Sequence, residues 1–194
     1  MAPSETLTAE RILEATEEVL RRHGPAKATV VDVARALGVS HGTVYRHFRT
    51  KAALREAVTK RWLDRTSEML SGFVTEDRDP ETRLRHWLAG LFEAKRKKAG
   101  GDPELFATYS VLTEEAGEAV GEHIAELIGQ LTEIVRAGVD SGAFTIADPA
   151  VAARTVFQAT GRFHDPSYVR EWLKPGVEGE FGEMVDLLVR GLRT

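Results

Sequence analysis

The sequence predicts an all-α protein with an N-terminal head at 1–52 and a larger helical body at 53–194. Apolar residues recur at three- and four-residue spacing through nearly every segment, as on one face of a helix. Clusters of Gly and Pro separate these segments. No stretch alternates apolar and polar residues over the length of a strand, so no sheet is expected.

The first two helices of the head follow from their apolar stripes and caps. An apolar stripe predicts the first helix over Thr8–His23. Thr29 precedes the second helix as a cap, and Asp32 three residues later completes a capping box. Gly38 ends the second helix, where the turn requires a left-handed backbone that costs other residues about 1–2 kcal/mol.

A short third helix and a long fourth helix follow. Ser40 caps the third, which ends at about Phe48. The fourth starts at Thr50 and runs for about 25 residues, or roughly 37 Å at 1.5 Å per residue. Five more helices are predicted in the body, at about Pro80–Lys98, Pro103–Thr113, Glu114–Ser141, Asp148–Phe163 and Glu178–Leu192.

The composition and the charge distribution limit the classes of protein that fit. No cysteine is present, which excludes disulfides, thiolate metal sites and cysteine nucleophiles. The longest run without a charged residue, Ala36–Tyr45, is too short to cross a bilayer, and no signal peptide is visible. Residues 1–65 hold 12 Lys and Arg against 8 Asp and Glu, whereas residues 66–194 hold 14 against 22. We expect a cytoplasmic protein, outside the membrane, whose basic head faces phosphates.

The second and third helices together show the pattern of a helix-turn-helix, whose second helix enters the major groove of DNA. They are joined by a tight turn at Gly38, and Ala34 is small enough for one helix to cross closely over the other. The apolar residues expected to set the crossing angle are Val33, Leu37, Val39, Val44 and Phe48.

The outward side of the third helix supplies candidate DNA contacts. At 100° per residue, Gly42 and Arg46 lie opposite the buried Val44, with Thr43 and Tyr45 beside them. Arg46 can offer two parallel hydrogen bonds to guanine, and the bare Gly42 lets the backbone approach base edges. Tyr45 and Thr43 can contact thymine methyl groups or phosphates. Each residue alone is equally well explained as a solvated surface residue, but their combination with the helix pair favours DNA binding.

Two further residues extend this surface. Ser40, as the N-cap, places the positive end of the third helix beside the groove. Lys51, at the start of the fourth helix, adds a charged contact to phosphate.

Residues 8–55 resemble the N-terminal DNA-binding domain of the tetracycline-repressor (TetR) family. The resemblance rests on the pattern GVSxGTxYxHFxxKxxL at residues 38–54, which combines turn, cap, third helix and next-helix start. It implies a homodimer that binds a palindromic operator in double-stranded DNA, and it adds Thr29 as a phosphate contact. The predicted DNA-binding residues are Thr29, Ser40, His41, Gly42, Thr43, Tyr45, Arg46, His47 and Lys51.

The resemblance also implies a ligand-binding and dimerisation role for the body. Its last two helices would form the subunit interface, through Val151, Thr155, Val156, Ala159, Phe181, Met184, Val185, Leu188 and Leu192. The segment 163–176 between them either lines that interface or caps the domain. An unidentified small-molecule effector would bind in a pocket, for which the candidates are Trp62, His86, Trp87, Phe106, Tyr109 and His123. Aromatic residues at helical spacing are also typical of plain core.

Two local features of the body are open to interpretation. Three glycines in one predicted helix, Gly117, Gly121 and Gly129, suggest close helix packing or local bending. The basic run AKRKK at 94–98 is interpreted as a solvated helix end.

Two other functions compete with that of a regulator. An enzyme in a helical bundle is disfavoured, because no histidine follows a Glu at the spacing of a di-iron site. The His-Glu-x-x-His, GxGxxG and P-loop patterns are also missing, so we expect no catalytic residue, metal or cofactor. An effector-independent DNA-binding or protein-interaction module is the second rival, but the body is larger than dimerisation alone requires.

Overall fold

The nine predicted helices are all present as α-helices. The computed structural model describes residues 7–101 and 103–193, and within them it contains no β-strand, which confirms the all-α prediction. The helices are α1 (Ala9–Lys27), α2 (Val30–Leu37), α3 (His41–His47), α4 (Lys51–Val74), α5 (Pro80–Gly101), α6 (Pro103–Glu115), α7 (Gly117–Asp140), α8 (Pro149–Ala159) and α9 (Val177–Arg193). None of the helices in the described ranges is long and apolar enough to cross a membrane.

The two helix ends that differ most from the predicted ones do so for local reasons. α1 continues beyond His23 to Lys27 across a kink, where Gly24 has a φ of 69° and Pro25 restarts the helix. The helix predicted to reach Phe163 ends at Ala159 and is followed by a 3₁₀ turn, Gly161–Phe163. In both places the chain stays helical in character but changes direction.

The described residues form two compact units. One lies within Met1–Trp62 and Asp102–Val120, so that α6 packs against α1. The other lies within Leu63–Gly101 and Gly121–Thr194. The predicted domain boundary after residue 52 remains a prediction. It divides the chain by function, whereas the two compact units divide it by packing.

The core of the second unit is apolar, and Gly138 makes the tightest glycine contact in it. Trp87 and Leu131 are fully buried in it. A β-carbon at Gly138 would overlap the ring of Phe144, so this glycine is required by packing. The three glycines Gly117, Gly121 and Gly129 instead have open space around the position of a β-carbon, so close packing does not explain them.

The segment 163–176 packs into the second unit and caps it. The ring of Phe163 lies edge-on at 5.3 Å from Phe92 and also 5.3 Å from Phe181. Trp172 is fully buried, and its Nε1 donates to the carbonyl of Arg162 at 2.8 Å. Of the two roles open at the sequence level, these contacts favour the cap.

Candidate DNA interface and ligand-binding body

Side-chain hydrogen bonds cap the N-termini of both helices of the helix-turn-helix, and those at the start of α2 are reciprocal. Asp32 N donates to Thr29 Oγ1 at 3.2 Å, and Thr29 N donates to the Asp32 carboxylate at 3.2 Å. The hydrogen bond from the Thr29 hydroxyl also lowers the pKa of Asp32. Gly38 has a φ of 67°, and Ser40 Oγ accepts from Thr43 N at 3.2 Å. The predicted capping box, left-handed turn and serine cap are therefore all present.

The third helix buries one residue and exposes most of the others. Val44 is fully buried, whereas Tyr45 is 40% exposed and Arg46 is exposed beside it. His41 and His47 are also exposed. The predicted contact face of α3 is thus open to a partner.

Neighbouring polar groups hold the side chains of this face. Thr43 Oγ1 lies 2.9 Å from Ser40 Oγ and accepts from Arg46 Nη2 at 3.3 Å. The rings of His41 and Tyr45 meet edge to face, with centroids 6.3 Å apart. These contacts restrict the rotamers of the side chains, which would lower the entropy cost of binding a partner on this face.

Gly42 lies on the same face and has no packing reason to be glycine. A β-carbon built there would meet only Ser40 Oγ, at an ordinary 3.7 Å. The fold therefore has room for a larger residue at this position, and packing within the protein does not require glycine there.

Thr29 and Lys51 lie at helix starts. Both are exposed. Thr29 contributes its hydroxyl to the capping box, so a phosphate contact has to share that group. Lys51 is the first residue of α4, where Thr50 Oγ1 accepts from Ala53 N at 3.0 Å.

An arginine that sequence reasoning missed ties the first unit together. Arg55 on α4 pairs with Glu115 at 3.0 Å, and its Nη2 donates to the carbonyl of Pro25 at 2.6 Å. One guanidinium thus joins the end of α1, α4 and the end of α6. Arg55 and Glu115 are 60 residues apart in the sequence, so no local pattern predicts that they pair.

Three of the six predicted pocket residues form an aromatic group in the first unit. The ring centroids of Trp62 and Tyr109 are 5.7 Å apart, and those of Phe106 and Tyr109 are 6.2 Å apart. All three are buried, and burial raises the pKa of Tyr109.

Two more predicted pocket residues belong to a chain of buried hydrogen bonds in the second unit. Trp87 Nε1 donates to Gln130 Oε1 at 2.9 Å, and Gln130 Nε2 donates to the carbonyl of Ser67 at 2.9 Å. Ser67 Oγ shares a hydrogen bond of 2.9 Å with His123 Nδ1. Sequence reasoning missed Ser67 and Gln130, because a polar residue on a helix gives no sign of being buried.

The sixth residue, His86, lies outside this chain. Its side chain is 46% exposed, and its Nδ1 lies 2.8 Å from a carboxylate oxygen of Glu76. The structure therefore separates His86 from its neighbour Trp87, which points into the core.

The basic run at 94–98 is not the solvated helix end that the sequence suggested. Lys95 is only 7% exposed, and Lys98 is partly buried, with its Nζ 2.9 Å from Thr66 Oγ1. Lys97 on the same helix is exposed. Residues at i and i+3 of a helix share a face, which explains why Lys95 and Lys98 turn inward together.

The described residues contain no group of three or more His, Asp or Glu side chains that could hold a metal ion. The site with the clearest geometry is the open face of α3, mounted on a capped helix pair. These features define a helix-turn-helix DNA-binding regulator.

Comparison with known families identifies the family of regulators to which the chain belongs. The description "Bacterial regulatory proteins, tetR family" matches residues 12–58, and "Tetracyclin repressor-like, C-terminal domain" matches residues 80–185. The second match alone covers more than half of the chain. The chain belongs to the TetR family of transcriptional regulators.

The relatives found by sequence comparison match this chain over only part of their length. An uncharacterised HTH-type transcriptional regulator of Mycobacterium tuberculosis is 33% identical over 78 residues, which are 40% of this chain and 39% of the relative. The HTH-type transcriptional regulator TtgR of Pseudomonas putida is 31% identical over 86 residues, 44% of this chain and 41% of TtgR. The matches thus span about two fifths of these relatives.

Solved structures match over nearly the whole chain. FadR of Bacillus subtilis, a transcriptional regulator in complex with stearoyl-CoA, has a TM-score of 0.69 at 20% identity, covering 95% of this chain and 99% of FadR. SmeT, the repressor of the Stenotrophomonas maltophilia multidrug efflux pump SmeDEF, has a TM-score of 0.69 at 22% identity, covering 96% of this chain and 90% of SmeT. At these identities the likeness shows a shared fold.

Proposed function

We propose that this protein is a homodimeric, ligand-responsive repressor, with each α3 placed in one half-site of a palindromic operator. The two half-sites then lie about 34–36 Å apart. The observation that carries the proposal is the open face of α3, with Arg46 exposed and Gly42 unconstrained by the fold. The fold likeness to SmeT, which is described as a repressor, supports the direction of control.

Exposed apolar residues on the last two helices support dimerisation. Val151 on α8 is 58% exposed and Leu187 on α9 is 63% exposed. Three residues predicted for the interface, Val156, Val185 and Leu192, are instead buried in the core of the protomer. They were misassigned because the two sides of an amphipathic helix cannot be told apart when both carry apolar residues. The interface proposed here is the exposed side.

A substitution on that exposed side tests the dimer. Leu187→Glu should give monomers in light scattering, because it places a charge in an apolar interface without touching the protomer core. Its matched control is Val31→Glu, which introduces the same charge at an exposed apolar residue of α2, outside the proposed interface. Persistent dimers with Leu187→Glu would move the interface elsewhere.

The body is the proposed site of effector binding. The buried hydrogen-bond chain around Trp87 and His123 supplies polar groups within an apolar core, as small-molecule sites do. FadR is described in complex with stearoyl-CoA and SmeT in complex with triclosan, which supports binding of a small molecule here. An effector shifts the operator-binding equilibrium only by its differential affinity, typically about 1–3 kcal/mol.

Regulation without catalysis is the role proposed for the chain. Its family and its relatives are transcriptional regulators, so we propose no enzymatic activity. Access to DNA requires the protein to act in the cytoplasm.

Selection from random duplex DNA tests the proposal directly. Purified protein should enrich a palindromic sequence, and a small-molecule panel added to the complex should release it. Failure to retain any duplex in dilute buffer, where phosphate contacts are strongest, would exclude the DNA-binding function. Enrichment without release by any compound would favour the effector-independent alternative.

A further inference from the structure

The second unit carries a groove on its surface, between α4, α5 and the segment 163–176. The groove has a volume of about 670 Å³, and most of its lining is apolar. Met69 and Phe73 come from α4, Ala94 from α5 and Leu173 from the segment that follows α8. Met69 is 41% exposed and Leu173 is 59% exposed. Exposed apolar side chains that cluster in one depression, unlike scattered ones, are typical of a binding site.

A glycine in the middle of α5 shapes the floor of the groove. A β-carbon at Gly90 would lie only 2.6 Å from Phe73 Cε2, so the phenyl ring lies directly against the backbone of α5. The same ring meets His86 edge-on, with ring centroids 6.1 Å apart. Glycine weakens the interior of a helix, and the close approach of Phe73 accounts for it here. The groove therefore has an aromatic floor that no side chain of α5 covers.

The charged residues of the groove lie on the last turns of α5. From Gly90 to Gly101, four basic residues stand against one acidic residue, Glu93, so this end of the helix favours anions. Arg96 is already paired with Glu178 at 2.6 Å. Lys97 lines the groove and is exposed, and none of the described residues forms an ion pair with it. Its ammonium group is therefore available to a ligand.

The size of the groove favours a small molecule over a protein as its occupant. Small-molecule sites have volumes of about 300–1,000 Å³, and this groove lies within that range. A stable interface between proteins takes roughly 20–30 residues from each side, whereas eight residues line the groove. An apolar lining with a lysine at its edge suits a molecule that combines an apolar body with one anionic group.

We propose that this groove binds an amphipathic organic anion. Its apolar chain or ring lies on Met69, Phe73 and Leu173, and its anionic group pairs with Lys97. Burial of the apolar part supplies most of the binding free energy, since an exposed ion pair adds little. None of the groove residues belongs to the buried hydrogen-bond chain around Trp87, so the inference goes beyond the proposed function and does not depend on it.

The methionine methyl groups give a direct readout of the groove. The chain has three methionines, of which Met69 lines the groove and Met184 packs against the core of the second unit. In NMR spectra of the full chain labelled at the methionine methyl carbons, the Met69 signal should shift on titration with octanoate. A Met69→Leu variant assigns that signal. If calorimetry detects octanoate binding while the Met69 signal stays in place, the ligand binds elsewhere and the proposal is wrong.

Three probes separate the apolar contribution from the charge: octanoate, butanoate and octanamide. With dissociation constants read from the Met69 signal, octanoate should bind at least about tenfold more tightly than butanoate, because butanoate has four fewer methylene groups to bury. Octanamide, which lacks the charge, should bind about threefold to fivefold more weakly than octanoate. Equal affinity for octanoate and butanoate, or for octanoate and octanamide, would overturn the proposal.

Variants at exposed positions locate the two contributions. Lys97→Gln should abolish the preference for octanoate over octanamide, whereas the control Lys27→Gln, at an exposed lysine of α1, should keep it. Leu173→Asn should weaken the binding of both eight-carbon probes by about threefold to tenfold, because it removes apolar lining. Thermal unfolding should be unchanged in all three variants, since these side chains are exposed. Equal loss of the preference in Lys97→Gln and Lys27→Gln would mean that general surface charge attracts the anion, which would contradict the proposed role of Lys97.

Discussion

The α3 helix of the first unit and the α5 helix of the second unit use positive charge in opposite ways. On α3, Arg46 and its neighbours face outward, where solvent screens them until a partner arrives. On α5, Lys95 is enclosed, and burial lowers the pKa of its ammonium group to about 8. The comparison teaches that an exposed cation is available to an external partner, whereas an enclosed cation acts mainly on the groups packed around it.

The largest expected effect comes from a substitution on α5 in the apolar core of the second unit. Trp87→Ala should lower the free energy of unfolding by about 3–5 kcal/mol, because it leaves a cavity and removes the donor to Gln130. His86→Ala, at the exposed neighbouring position, should change it little. Urea denaturation of both variants measures the difference. Similar losses of stability in the two variants would contradict the described difference in burial between Trp87 and His86.

A weaker but more specific effect is expected at α3. Arg46→Ala should cost about 1–3 kcal/mol in operator discrimination, since it removes the proposed guanine contact. Arg22→Ala on α1 is a matched control with an exposed guanidinium paired to Glu18. Gel-shift titrations against operator and unrelated DNA separate specific from general binding. Loss of folding in Arg46→Ala would instead make this side chain part of the core.

Gly42 tests whether the open face of α3 is a contact surface. Gly42→Ala should leave thermal stability unchanged or slightly improved, because the added methyl group meets no close neighbour and alanine favours helix by up to about 1 kcal/mol. Operator affinity should nevertheless fall, because that methyl group separates the backbone from the bases. Unchanged affinity would mean that DNA does not approach α3 at this position.

The smallest effect is expected at Lys51. Lys51→Ala should weaken binding to all sequences alike and reduce the slope of log K against log salt by about one at most. Fluorescence anisotropy at several salt concentrations measures that slope. A variant with the wild-type slope would exclude Lys51 from the phosphate contacts.

Local patterns were sufficient for the helix-turn-helix. The capping box of Thr29 and Asp32, the turn at Gly38 and the cap at Ser40 each involve residues within a few positions of one another. Their interactions are short in sequence, so the residue types alone predict them. The family resemblance of residues 8–55 rests on the same stretch, and the family matches confirm it.

Residues of the body were predicted less well, because their roles depend on distant neighbours. Val156 and Val151 look alike in sequence, yet one is buried in the core and the other is exposed on α8. His86 and Trp87 are adjacent in the sequence, yet His86 is exposed and Trp87 is buried. Which side of an amphipathic helix is buried depends on the helices that pack against it.

The order of nine helices, the caps of α2 and α3 and the exposed face of α3 could be derived from the residues alone, because helix periodicity and capping act over one or two turns. Only the tertiary structure showed that Ser67 bonds to His123, 56 positions away, and that Arg55 pairs with Glu115, 60 positions away. It also showed that Lys95 is buried. The physical reason is that burial and long-range hydrogen bonds are properties of packed helices, which a single helix does not contain.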